Sequence, residues 1–175
     1  LILLTLQGVS AIDNDNLAQE LQSGDIEVLG ESENSFTELQ SLIDGGNATI
    51  NLEKDYIQYD GEKTIKISRN VTINGNGHII DANYNIQALL ISADNVVLNN
   101  ITVKNGNNKL GGAINWQGAN GVLANSSFIN NNATGTDTAT NYEGGGAVYW
   151  IGNNGLIANS TFESSLSLTT ISAAA

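Results

Sequence analysis

The 175-residue chain contains no cysteine, no proline and no methionine, and it has one histidine, His78, and one arginine, Arg69. Without cysteine there is neither a disulfide framework nor a thiolate metal site, although this leaves the redox compartment open. Six basic residues stand against eighteen acidic ones, a net charge of -12. That balance argues against nucleic acid and anionic membranes as partners, because both need basic patches. The apolar segments are short and lack a sustained helical period, which excludes an α-solenoid. The length allows one domain with a real core.

What is present is repetition. Gly111 to Phe128 recurs, nearly residue for residue, as Gly145 to Phe162, thirty-four positions later. A shift of 25 extends the pattern backwards, placing Leu89, Ile91, Leu98, Asn100 and Val103 over Ile114, Trp116, Leu123, Asn125 and Phe128. A further shift of 25 places Val71, Ile73, Gly75 and His78 under Val96, Leu98, Asn100 and Val103. One column reads Ile73, Leu98, Leu123, Ile157, as an inward strand position should. A second reads Gly75, Asn100, Asn125, Asn159 and predicts a left-handed turn in every unit. A third, Val103, Phe128, Phe162, predicts an apolar stack.

Units of this length, with short strands between Gly/Asn turns, predict a parallel β-helix in which each coil lies on the last, about 4.8 Å apart. A leucine-rich horseshoe would need a dense leucine pattern and a helical return, and neither is present.

Along the chain, residues 1–11 read as the remnant of a secretory signal peptide, with Val9 and Ala11 at signal-peptidase spacing. The missing basic region and initiator methionine make the chain an expected fragment, cut short at its N-terminus. Residues 12–34 form an acidic lead-in with the composition of a disordered segment. Residues 35–46 predict a capping helix: Ser35-x-x-Glu38 is a capping box, Phe36, Leu39, Leu42 and Ile43 share a face, and Asp44-Gly45-Gly46 ends it. Residues 47–165 are the coils, and 166–175 an irregular, expectedly truncated tail. The nine residues by which the last unit exceeds its predecessor fall within Asn130–Asn141 and predict a protruding loop.

Candidate chemistry is sparse. His78 falls in the apolar column, with Ile79 as the competing inward residue, and reads as structural rather than as a general base. Arg69 is expected beside Asp94 as a surface ion pair across coils, in preference to a role as an elimination base. Of the coil-region acids after Glu62, namely Asp81, Asp94, Asp137, Glu143 and Glu163, none repeats in a column, so no carboxylate pair, metal site, cofactor site or catalytic residue is expected. Trp116 and Trp150 alternate with core aliphatics and predict an inward ladder, leaving Asn115 and Tyr149 outward as ligand-contact candidates. Thr134, Asp137 and Asn141 in the loop join them. Of six Asn-x-Ser/Thr sequons, Asn47 and Asn132 are the candidate glycan acceptors.

Gly111-Gly112-Ala113-Ile114 with Phe128-Ile129-Asn130-Asn131 resembles the paired GGA[ILV] and FxxN motifs of the polymorphic outer-membrane-protein repeat. The stretch from Ser35 to Phe162 resembles the N-terminal part of archaeal (methanogen) adhesin-like proteins. Phe162-Glu163-Ser164-Ser165 departs from the pattern by lacking its asparagine. The resemblance implies an all-β, right-handed parallel β-helix of the pectate-lyase-like kind with a short capping helix. It also implies a secreted or cell-surface adhesin whose partners are cell-surface glycans or proteins, with no membrane insertion. The alternatives are a polysaccharide lyase or glycoside hydrolase of the same fold and a structural envelope component. An uncapped last coil further predicts end-to-end self-association.

Overall fold

A computed structural model describes residues 33–134 and 144–167. The expected signal-peptide remnant and almost all of the expected acidic lead-in therefore lie outside the described residues, as do residues 135–143 and those beyond 167. Helix α1 (Phe36–Asp44) comes first. The first coil is β1 (Thr49–Asn51), β2 (Tyr56–Ile57) and β3 (Ile65–Ile67), and the second is β4 (Thr72–Asn74), β5 (Ile79–Asp81) and β6 (Leu89–Ile91). The third is β7 (Val97–Asn99), β8 (Thr102–Lys104), β9 (Asn107–Asn108) and β10 (Ile114–Trp116). The fourth is β11 (Val122–Ala124), β12 (Ser127–Ile129), β13 (Asn132–Ala133) and β14 (Val148–Trp150). Strands β15 (Leu156–Ala158), β16 (Thr161–Glu163) and β17 (Leu166–Ser167) continue into a fifth.

Every pairing is between successive coils and parallel, giving sheets β1-β4-β7-β11-β15, β2-β5-β8-β12-β16 and β3-β6-β10-β14, with the shorter β9-β13-β17. The fold is an all-β, right-handed parallel β-helix with a short N-terminal helix. Strand β17 pairs with β13, so the coil pattern runs two residues beyond the boundary expected at 165.

The interior is built of columns. Ile73, Leu98, Leu123 and Ile157 stand in register, as expected, and Ile50 begins the column. Phe128 lies between Val103 and Phe162, its ring stacked on that of Phe162 at 5.1 Å. Ile67, Ile91, Trp116 and Trp150 form another column, with the indoles 4.1 Å apart and 5° from parallel. Trp116 is fully buried.

A neighbouring column explains how an indole replaces isoleucine without expanding the coil. Val71, Val96, Gly121 and Gly155 occupy equivalent positions, joined by Val97 N–H to Val71 O, Val122 N–H to Val96 O and Leu156 N–H to Gly121 O. A β-carbon on Gly121 would stand 2.5 Å from the Trp116 ring, and one on Gly155 2.4 Å from that of Trp150. Where the first column grows from Ile to Trp, the second shrinks from Val to Gly, conserving volume as close packing requires.

Corners are made by left-handed asparagines. Asn100, Asn125 and Asn159 have φ of 52°, 53° and 49°, as the second column predicts. Two further sets repeat the device: Asn95, Asn120 and Asn154, and Asn105, Asn130 and Ser164. Asparagine accepts this conformation more readily than other side chains because its short amide bonds locally. The turned backbone keeps its hydrogen bonds, as when Asn100 N–H donates to Ala124 O at 3.0 Å and Asn125 N–H to Ala158 O at 3.0 Å.

Gly75 departs from its expected left-handed role. It is required because a β-carbon there would meet Asn100 O at 2.4 Å. The left-handed residues at this corner are Asn76 and Gly77, with φ of 54° and 84°. Four residues separate β4 from β5 where two separate β7 from β8, and the longer corner slips the register. Ile80, not His78 or Ile79, therefore pairs with Val103 and is buried.

The helix caps the first coil as expected, with one change. Ser35 Oγ accepts the Glu38 N–H at 3.1 Å, and Glu38 Oε2 accepts that of Asn34 at 2.8 Å. Phe36, Leu39 and Ile43 are buried, but Leu42 is 42% exposed. The Glu62 carboxylate receives the N–H groups of Phe36 (3.2 Å), Thr37 (2.7 Å) and Tyr59 (2.8 Å), satisfying orphan donors of the first turn. Burial pushes this carboxyl up, but the bonds from Thr37, Tyr59 and Phe36 together hold it below the ordinary glutamate value.

Candidate functional site

The repeated interior leaves the outward positions as places where the coils differ. On sheet β3-β6-β10-β14 the central, outward residue is Lys66, Leu90, Asn115 and Tyr149 in successive coils. Asn115 and Tyr149 are thus side by side, one coil apart, as strand alternation predicts. Both are half-buried, and Asn115 Oδ1 is buried without a hydrogen-bond partner.

The corner before β14 carries the insertion. Asn107 pairs with Asn132, a shift of 25, whereas Leu110 bridges to Gly144, a shift of 34. The nine surplus residues are therefore 135–143, which fall between two aligned positions. Thr134 sits at the departure point, exposed, with its Oγ1 bonded to Asn107 Oδ1 at 2.9 Å. Asp137 and Asn141 lie outside the described residues. The residues before the insertion belong to the coil and not to a loop. Asn131 is fully buried, its Oδ1 accepting the Gly106 N–H at 2.8 Å and its Nδ2 donating to Val103 O at 3.0 Å.

The two glycan-acceptor candidates separate on the same grounds. Asn47 is exposed between α1 and β1. Asn132, expected in a protruding loop, is instead in β13 with its Oδ1 buried, because the insertion starts at residue 135, five residues later than the Asn130 start that the sequence suggests.

Gly111 and Gly112 close this corner against the next. Gly111 has φ of 67°, and a β-carbon on it would lie 1.9 Å from Ile114 O. One on Gly112 would lie 2.4 Å from Gly146 O. The paired glycines thus answer a steric requirement of stacked corners.

His78 stands on a corner, half-buried, and not in the core. Its Nδ1 is 3.0 Å from Asp55 Oδ1 in the preceding coil, and the same oxygen accepts the Ile79 N–H at 3.0 Å. The Ile79 bond chiefly holds the Asp55 carboxyl below its usual value. Burial opposes that shift, while the His78 ring and Lys104 reinforce it. Sequence reasoning gave His78 no such partner, because two extra corner residues hid the register.

Arg69 also departs from expectation. Its Nε and Nη2 donate to Ile43 O at 2.8 and 2.6 Å, and Nη2 donates to Asn47 O at 2.8 Å. It ties down the C-terminal end of α1, where a cation opposes the helix dipole favourably. Asp94 instead accepts the Ala119 N–H at 2.7 Å. Asp81 is 3.1 Å from Lys104 Nζ and also accepts from Asn105 and Asn83.

Among the described residues no group of three or more His, Cys, Asp or Glu side chains could hold a metal ion, and no helix is long and apolar enough to cross a membrane. Comparison of the chain with models of known protein families, with curated proteins and with solved structures returned no match.

Proposed function

We propose that this chain is an exported attachment module of adhesin type, acting at the cell surface without catalysis and meeting surface glycans or proteins. Its coils resemble the repeats of archaeal adhesin-like proteins, and the apolar start ending at Val9-x-Ala11 supports export. The observation that carries the reading is the division of labour within each coil. Interior and corner residues repeat or compensate one another, while the outward column Lys66, Leu90, Asn115, Tyr149 does not repeat, and one corner accepts a polar insertion. A rigid scaffold with variable outward positions suits display, and many weak contacts along it would add through multivalency. The test is attachment of the labelled chain to whole cells and immobilised surface polysaccharides. Attachment that falls when residues 134–141 are deleted supports the reading; a folded chain that attaches to nothing sinks it.

A second reading, a polysaccharide lyase or glycoside hydrolase, draws support from the His78–Asp55 pair, which supplies the polar partner a histidine base needs. Calcium-supplemented assays on pectin and alginate test it. Cleavage abolished by His78→Ala would replace the attachment reading.

A further inference from the structure

We propose that the corner carrying Tyr59 and Tyr84 is a binding platform for a neutral saccharide chain, with the two phenol rings stacking on adjacent sugar rings. The proposal rests on the attachment reading and gives it a ligand class and a place, away from Asn115 and Tyr149.

Both tyrosines lie where a coil turns after the β2-β5-β8 sheet, in the first and second coils. The two residues are 40% and 57% exposed. Tyr84 is left-handed with φ of 60°, directly after Asn83 at 52°. Elsewhere among the described residues the non-glycine left-handed positions are held by asparagine and by Ser164. A bulky aromatic is the wrong residue for that backbone on steric grounds, and its ring is too exposed for core packing to account for the choice. Backbone strain of this kind clusters at active sites and ligand clamps.

Hydrogen bonds fix the backbone of both turns. Tyr59 N–H donates to the Glu62 carboxylate at 2.8 Å, and Glu62 N–H donates back to Tyr59 O at 3.1 Å. Tyr84 N–H donates to Asn105 O at 2.7 Å, and Asn107 Nδ2 donates to Tyr84 O at 3.2 Å. Gln58, 2% exposed, joins the two turns. Its Nε2 bonds Tyr59 O, its Oε1 accepts from Asn85 Nδ2 at 2.9 Å, and its backbone oxygen accepts from Asn83 Nδ2 at 3.3 Å. A tyrosine on a fixed turn has only two side-chain angles left to order, so it offers a large amphipathic face at little entropic cost to a ligand.

The chemistry around the rings selects the ligand. An electron-rich ring face attracts the C–H face of a pyranose, while the exposed Asp60 carboxylate and the phenol hydroxyls suit sugar hydroxyls. The net charge of -12 disfavours a polyanionic chain, leaving a neutral one. Two tyrosine rings are too little apolar surface for a standard protein interface, which buries about 1,200 Å² or more.

The test is titration calorimetry of the 175-residue chain with soluble hexamers of glucose, mannose and N-acetylglucosamine, with saturation transfer read at the tyrosine ring protons. At least one hexamer should bind, and Tyr59→Ala and Tyr84→Asn should each weaken it about tenfold or more, the effect of removing an aromatic anchor. Asparagine suits the left-handed backbone, so Tyr84→Asn should melt no lower than the parent chain; a clearly lower melting temperature would assign the ring a structural role and overturn the proposal. Tyr149→Ala should leave hexamer binding unchanged. Binding that survives both tyrosine changes overturns the platform. No hexamer binding by a chain that still attaches to cells overturns the platform and spares the attachment reading, whereas loss of both removes both.

Discussion

The third and fifth coils are made of matching residues and live in different environments. Leu98 and Val103 are wholly buried, while Ile157 and Phe162, in the same two columns, are 46% and 47% exposed. Leu156 and Ile151 beside them are more than half exposed. At the other end α1 lays Phe36, Leu39 and Ile43 over the first coil, and all three are buried. A column residue in a solenoid is thus buried by the coils above and below it rather than by its own strand. Stability then accumulates from interfaces between neighbours.

Four experiments would break or sharpen that contrast. The largest effect is expected from truncating a sandwiched ring. Phe128→Ala should cost about 3–5 kcal/mol in urea denaturation, and Phe162→Ala, half in water, clearly less. Equal losses would show that burial by neighbours is not what sets the value of a column residue.

Next comes the exchange of volume between columns. Gly121→Val should destabilise by about 1–3 kcal/mol because its side chain collides with the Trp116 ring, and Trp116→Ile by about 2 kcal/mol through the space it leaves. Combined, they restore the Ile91 and Val96 arrangement of the previous coil, and the double variant should recover most of the loss. Additive losses would refute the compensation.

The capped end should respond to acid. Glu62 titrates below its ordinary value of 4.5 in the folded chain, so its stabilisation is complete above that pH and is lost as pH falls through the folded value. Glu62→Gln should cost about 1.5 kcal/mol at neutral pH and flatten the acid limb of thermal stability. An acid limb as steep as the parent's would remove Glu62 from the cap.

The smallest effect concerns a corner. Asn125→Ala places a β-branchless but left-handed-averse residue at φ 53° and should cost about 1 kcal/mol, whereas Asn125→Gly should be nearly neutral. A reversed order would mean that the asparagine amide, and not the backbone, is what the position needs. That amide donates to Asn99 Oδ1 at 2.8 Å.

Much of this was readable in the residues. The aliphatic column, the phenylalanine stack, the paired indoles and the capping box all follow from spacing, because a coil that stacks on its own copy must repeat what faces its neighbour. The other two asparagine corners were equally visible, at Asn95, Asn120, Asn154 and at Asn105, Asn130. So was the change from Val96 to Gly121 beside the change from Ile91 to Trp116. Reading them needed the columns to be compared in pairs.

What failed did so where corner length changes. Two extra residues at Gly75–His78 moved the histidine out of the core and beside Asp55. The insertion began after Thr134, which left Asn131 buried and Asn132 in a strand. Arg69 reached the helix because a long side chain spans elements that no repeat aligns, and Tyr84 took a backbone that its residue type argues against.

The sequence by itself determined the repeating unit, its interior, its principal turn and the helix that closes one end, since each depends on residues near in the chain or related by a constant shift. Only the tertiary structure decided which residues meet at the corners: His78 with Asp55, Glu62 with α1, Gln58 with both tyrosine turns. Those meetings depend on how far each corner carries the chain before the next strand begins, and the two extra residues before β5 displace the side chains there until β6 regains the register.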